Sequence, residues 1–246
     1  MLNKIIELGI SRTEALELIK VSKDIEKDYQ KLVDGVPIQY LIGYVDFYGN
    51  KINVNNNVLI PRYETELLVD KTINLVKKIF NKKVSILDLC TGSGCIGISL
   101  YKNIDSDITV SDISSDALEV AKTNIFINNV NIKCVCSDLF DNINGTFDVI
   151  ISNPPYISDK IEVMDIVDKN EPNIALYAPH NGLYFYEKIL SECKKYLNDK
   201  FIIAFEIGYE QGESVKQIAN KYFNDSKVIV EKDYSLKDRF LFIVSE

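Results

Sequence analysis

The sequence predicts an α/β protein built on a doubly wound, mostly parallel sheet of seven strands. Three observations predict it. From Val84 onward, short apolar runs alternate with helical patterns, as successive βαβ units require. A glycine-rich turn, Gly92-Ser93-Gly94-Cys95-Ile96-Gly97, lies between the first of these strands and the helix that follows it. Finally, a polar group closes or follows each of the first four strands: Asp88, Asp112, Asp138 and Asn153. In such a sheet the carboxyl ends of the strands share one edge, where ligands bind.

In chain order, residues 1–35 read as a helical segment. Ser11-Arg12-Thr13-Glu14 has the spacing of a capping box ahead of Ala15, Leu16, Leu18 and Ile19. Residues 36–62 read as a β-hairpin linker. Gln39–Tyr48 and Lys51–Val54 are its arms, Gly49-Asn50 its turn, and Val58–Ile60 an extended piece that ends at Pro61. Residues 63–246 form the main domain, which opens with a helix from Glu66 to about Phe80. Strands follow at Val84–Asp88, Ile108–Asp112, Ile132–Val135, Phe147–Ser152, Phe201–Ile207, Lys227–Glu231 and Phe240–Val244. Helices fall after Gly92, after the Ser114 cap, over Leu183–Leu197 and over Ser214–Phe223.

Composition narrows the class. A hydrophobic content of 46% and a charged content of 26% fit a soluble globular protein, and no apolar run approaches the ~18 residues of a membrane span. The first ten residues carry Lys4 and Glu7, so an exported protein is not expected. Five cysteines without a C-x-x-C pair read as reduced thiols, and a cytoplasmic location is expected. His180 is the single histidine, and Cys134-x-Cys136 lacks a second ligand pair, so no metal site is expected. A net charge of −8 without a basic stripe argues against stable nucleic-acid binding.

The glycine turn lets a ligand approach the backbone at a helix N-terminus, and Asp112, 20 residues after Gly92, can accept hydrogen bonds from ribose hydroxyls. Both features suit either NAD or S-adenosylmethionine (SAM). Asp88 separates the two. A carboxylate beside a pyrophosphate repels it, whereas beside the cationic groups of SAM it is favourable. Asp138 stands where an acceptor can meet an adenine amino group. Any one of these carboxylates would also serve as a helix cap; three of them on successive strands point to a ligand.

Asn153-Pro154-Pro155-Tyr156 follows the fourth strand. Neither proline has an N–H to extend the strand, and each restrains the residue before it, so the loop is stiff. It offers an amide side chain, free carbonyls and an aromatic ring, a set suited to gripping a planar –NH2 group. The plain alternative is a turn without chemistry.

These segments resemble, in order, those of the release-factor glutamine methyltransferases (the HemK/PrmC family) among class I SAM-dependent methyltransferases. They are Pro37–Gly43, Leu59-Ile60-Pro61-Arg62-Tyr63-Glu64-Thr65-Glu66, Asp88–Gly94, Asn153–Tyr156, Glu171-Pro172 and Glu206-Ile207-Gly208 with Gln211-Gly212. The resemblance implies a Rossmann-like methyltransferase domain, a substrate-docking role for residues 1–35, and methyl transfer from SAM to the side-chain amide nitrogen (N5) of a glutamine in a class I peptide-chain release factor. It implies Asp88, Cys90, Thr91, Gly92, Ser93, Gly94, Asp112, Asp138, Leu139 and Asn153 at the cofactor. Asn153 and Pro154 would orient the acceptor amide, with Pro155 beside them and Tyr156 on the amide plane. Arg62, Glu64 and Glu66 would shape the entrance. A monomer using no metal is expected. The chain departs from the family pattern in three places. It has Tyr63 where the family has proline, no glycine near Leu236-Lys237, and an N-terminal helical segment of only about 33 residues. The rival reading is a nucleic-acid methyltransferase acting on adenine N6 or guanine N2, whose exocyclic amines present the same planar –NH2. A third is a non-catalytic SAM-binding module, against which the intact Asn153 tetrapeptide argues.

Overall fold

The helical N-terminus forms because its apolar residues recur at helical spacing and its turns are capped. Helices α1 (Leu2–Glu7), α2 (Arg12–Val21), α3 (Ile25–Val33) and α4 (Ile38–Ile42) enclose a small core of Ile5, Ala15, Leu18, Leu32 and Ile38. Ser11 Oγ accepts from Glu14 N at 3.2 Å, the capping contact expected from the sequence. The computed structural model describes residues 1–158 and 164–245.

Helix α4 corrects one expectation. The stretch from Gln39 was read as a strand, but Ile38, Leu41 and Ile42 turn one face to the N-terminal core while Tyr40 packs on the larger domain. That is a 3.6-residue period, not a period of two. The strands of the hairpin are therefore only β1 (Tyr44–Phe47) and β2 (Asn50–Asn53), paired from Tyr44↔Asn53 to Phe47↔Asn50. Residues 58–60, read as extended, form no strand.

The hairpin is bonded into the main domain. Helix α5 (Tyr63–Ile79) leads into β3 (Val84–Leu89), α6 (Cys95–Asn103), β4 (Ser106–Asp112), α7 (Ser115–Ile127), β5 (Lys133–Cys136) and β6 (Phe147–Ser152). The buried Asn124 side chain of α7 accepts from Asn53 N at 2.7 Å and donates to Asn53 O at 3.0 Å. It also donates to Ser93 O at 2.9 Å, tying the hairpin to the glycine turn. Beyond β6 come α8 (Asp165–Asn170), which the sequence reading lacked, α9 (Tyr184–Glu192), β7 (Leu197–Glu206), α10 (Gly212–Tyr222), β8 (Ser226–Lys232) and β9 (Asp238–Ser245). The helix expected over Leu183–Leu197 stops at Glu192, and a 3-10 turn (Cys193–Tyr196) leads into β7.

The seven strands lie in the order β5-β4-β3-β6-β7-β9-β8, with β9 antiparallel to both neighbours and the others parallel. Period-two alternation divides the core. Ile86, Val110, Val149, Ile151 and Ala204 face α5, α6 and α7, whereas Leu87, Leu89, Ile150 and Ile203 face α9 and α10. Every residue of β6 is buried, as a central parallel strand demands. Complete burial of one such side chain is worth roughly 1.5–3 kcal/mol, so the centre of the sheet is a firm base for the loops at its edge. No helix among the described residues is long and apolar enough to cross a membrane.

Candidate active site

Parallel register brings the strand ends together. Leu89 pairs with Ser111 on one side and Ser152 on the other, and Asp112 pairs with Cys136. The loops that leave these four strands surround a cavity of about 250 Å³. Cys90, Thr91, Gly92 and Ser93 line it from β3, Asp112 from β4, Asp138 and Leu139 from β5, and Asn153 and Pro155 from β6. Arg62 lines it from the segment before α5. The lining from residues 57–59, from Pro172, Ile174 and Ala175, and from Tyr184 with Phe185 was not anticipated as a site. Asp88, Gly94, Pro154, Tyr156 and Glu64 are not in the lining.

Asp88 lies beneath the floor and is fully buried. Its Oδ2 accepts from Thr91 Oγ1 at 2.5 Å and from Gly97 N at 3.1 Å, bracing the glycine turn. Gly97 is required by close approach, because a Cβ there would stand 2.5 Å from Val110 Cγ1. Asp88 Oδ1 has no hydrogen-bond partner among the described residues. Burial, above all, pushes the Asp88 carboxyl up to about 7, and the nearby Asp112 charge adds to the shift. The fold therefore holds a proton that the unfolded chain releases near its ordinary carboxylate pKa. The resulting stabilisation is full below that pKa and is lost as pH rises through about 7. Asp88→Asn keeps an oxygen for Thr91 and Gly97 and does not titrate. Between about pH 5 and about pH 8, its melting temperature should gain a few degrees relative to wild type, measured by calorimetry without SAM. A constant difference across that range would mean that Asp88 titrates ordinarily.

Asp112 accepts from Gly92 N through Oδ2 and from Ser114 N through Oδ1, each at 2.9 Å. Burial raises its pKa against these bonds. It thus fixes the glycine turn and still has lone pairs for ribose hydroxyls. Two lining residues that are not glycine hold left-handed backbone, Cys90 at φ 57° and Leu139 at φ 44°. Such conformations concentrate at functional sites. Burial also drives the Cys90 thiol far above its usual range, so it is no nucleophile.

Arg62 is the only basic side chain among the described lining residues, and it is already paired, Nη2 lying 2.5 Å from the buried Glu171 Oε1. Glu171 Oε2 also accepts from Ile60 N at 3.0 Å, so it clamps the segment before α5. A pyrophosphate would meet Asp112 and Asp138 in this lining and no unpaired cation. The lining carboxylates Asp112 and Asp138, with no unpaired cation beside them, fit the cationic SAM. Glu66 serves elsewhere, accepting from Tyr48 N at 3.0 Å in the hairpin turn.

Asn153 Nδ2 donates to Thr65 Oγ1 at 3.1 Å. Tyr156 points away from the cavity, its hydroxyl donating to Glu206 Oε1 at 3.4 Å and its carbonyl accepting from Gln211 Nε2 at 2.9 Å. Burial, then the Glu206 charge, raises its phenol far above the usual range. Burial likewise pushes Glu206 up to about 7. The β6–β7 pairing brings Ser152↔Phe205 into register, the one sign in the topology that Glu206 comes near this loop. The departures at residues 63 and 236 meet on the surface. Tyr63 stacks on Tyr234 with ring centroids 6.3 Å apart, and Leu236 takes a left-handed φ of 60° in the adjoining turn.

Residues 65–170 match the family described as Methyltransferase small domain. The solved E. cuniculi Mtq2–Trm112 complex, described as responsible for methylation of the eRF1 translation termination factor, superposes with a TM-score of 0.55 at 17% identity. It covers 77% of this chain and 99% of that one, and shows the shared fold. The release factor glutamine methyltransferase of Streptococcus pneumoniae is 40% identical over 89% of this chain and 78% of its own length. That of Lactococcus lactis subsp. lactis is 38% identical over 98% of this chain and 88% of its own length. With identity of that order from the N-terminal helices to the last strand, the chain belongs to the release factor glutamine methyltransferase family.

Proposed function

We infer that this protein transfers the methyl group of SAM to the side-chain amide nitrogen of a glutamine in a peptide-chain release factor. The observation that carries the reading is the orientation of Asn153. With Nδ2 committed to Thr65, its Oδ1 is the end left to accept a hydrogen bond at the cavity. When bound, SAM supplies an electrophilic methyl group on a sulfonium leaving group. Asp112 holds the ribose, Asp138 and the Leu139 main chain border the adenine, and Thr91 with Gly92 lies against the remainder. Asn153 Oδ1 and the Pro154 carbonyl accept the two N–H bonds of the substrate amide. This aims a poorly nucleophilic nitrogen and stabilises the positive charge that grows on it. Pro155 and Arg62 flank the acceptor, Glu64 lies at the entrance, and Tyr156 stiffens the loop from behind. The nitrogen gives up its proton to solvent water after transfer, so positioning outweighs general-base chemistry.

Residues 1–35 serve as the docking segment for the release factor. The protein works as a cytoplasmic monomer, needs no metal and keeps no stable hold on nucleic acid. The test is transfer of labelled methyl from SAM onto a release factor, a tRNA and a DNA duplex side by side. Label on a release-factor glutamine alone is expected. Label on either nucleic acid with none on the release factor would overturn the reading.

A further inference from the structure

A line of hydrogen bonds leaves the cavity and enters the core. Asn153 Nδ2 donates to Thr65 Oγ1 at 3.1 Å, and Thr65 Oγ1 donates to Glu206 Oε2 at 2.7 Å. Thr65 is 3% exposed and Glu206 1%. Thr65 sits in the first turn of α5, yet its hydroxyl reaches across to β7. Around Glu206 stand Tyr156, Tyr186 from α9, whose hydroxyl donates to the Glu206 main-chain carbonyl at 2.9 Å, Arg239 from β9, and Glu64 from α5. Arg239 donates its Nε to Asp233 at 3.3 Å, and the ionised form of Glu206, which fills as pH rises through about 7, accepts from Tyr156 at Oε1 and from Thr65 at Oε2.

A hydroxyl has one proton. Once Thr65 commits it to a hydrogen bond with ionised Glu206, Oγ1 can only accept. It can then receive Nδ2–H of Asn153 but has nothing to offer Oδ1, and a reversed amide would set oxygen against oxygen. The buried carboxylate, two bonds removed, therefore decides which end of Asn153 faces the cavity. Resting on the glutamine-transfer reading above, we propose that Thr65 and Glu206 are positioning residues, which hold Asn153 with Oδ1 toward the acceptor N–H.

The test compares Thr65→Val, Thr65→Ser, Glu206→Gln and Asn153→Ala, with the double variants that combine Asn153→Ala with Thr65→Val or Glu206→Gln. Thr65→Val is expected to lower kcat on a release factor by about 5- to 30-fold, with the Kd for SAM within about threefold of wild type. Thr65→Ser, which keeps the hydroxyl, should restore kcat to within about threefold. In the Asn153→Ala background both Thr65→Val and Glu206→Gln should cost less than about twofold more, because a group that acts through Asn153 has nothing left to act on. A wild-type kcat in Thr65→Val, or full multiplicative losses in the double variants, would overturn the proposal.

A second readout needs no substrate. In the SAM-bound protein, the side-chain NH2 signals of Asn153 should be well separated and slow to exchange in wild type and Thr65→Ser. They should move to ordinary solvent-exposed values in Thr65→Val. Unchanged signals in Thr65→Val would defeat the relay. A wild-type protein that shows these signals but leaves the release factor unmethylated would instead defeat the functional reading.

Discussion

Asn153→Ala is expected to slow methyl transfer to the release-factor glutamine by roughly 10²–10³-fold while the Kd for SAM changes little. The cavity wall shows why the two should separate. Asn153 is one of many lining residues, and most of the polar side chains in the lining come from the ends of β3, β4 and β5. In the glutamine-transfer reading the acceptor amide has two N–H bonds to place, and Asn153 Oδ1 takes one of them. Deleting it removes aim and charge stabilisation together, and both count only as the transition state forms. The backbone should hold. Pro154 and Pro155 are buried, and Ile157 N donates to Leu176 O at 2.9 Å just beyond them. Single-turnover kinetics beside calorimetric titration of SAM measures both quantities. A wild-type rate in the variant would reduce the tetrapeptide to a turn.

Gly182→Ala is expected to be nearly as damaging from behind the loop. Gly182 sits at φ 85°, and a Cβ there would lie 2.1 Å from the Tyr156 carbonyl oxygen and 2.5 Å from Gln211 Nε2. A backbone oxygen cannot swing aside as a side chain can. The same Gln211 donates to Tyr156 O at 2.9 Å and accepts from Gly208 N at 2.9 Å, so the intrusion strikes the tie between three loops. The Asn153–Tyr156 segment must move, and a displacement near 1 Å typically costs about 10²-fold in rate. The left-handed backbone adds a penalty above about 1 kcal/mol, or a few degrees of melting temperature in a chain of this size. Kinetics and a melting curve give the answer together. A variant with wild-type turnover and stability would mean that the Tyr156 carbonyl does not anchor the loop.

The sheet was legible because its strands are apolar runs cut off by polar residues, and Phe147–Ser152 matches β6 residue for residue. Half of the site was legible for the same reason. In a parallel sheet, residues that close successive strands must converge, and Asp112, Asp138 and Asn153 do line one cavity. Helix α4 was misread because Gln39–Tyr48 can be parsed with a period of two, although Ile38, Leu41 and Ile42 share a helical face. Other parts depend on partners that local patterns cannot reveal. Arg62 pairs with Glu171 109 positions away, and Thr65 bonds Glu206 141 positions away. Tyr156 shows the limit of reading roles from residue type. Its ring suits an amide plane, yet its hydroxyl turns to a buried carboxylate.

The cavity wall is stitched from segments that run from Asn57 to Phe185. A chain leaving the ribosome at roughly 5–20 residues per second exposes the β3 and β4 contacts several seconds before Tyr184 and Phe185 emerge. Through that interval the nascent chain holds the glycine turn and Asp112 but not Tyr184 and Phe185, which complete the lining. Only a molecule that has completed its long-range closures gains the stability that a bound ligand confers.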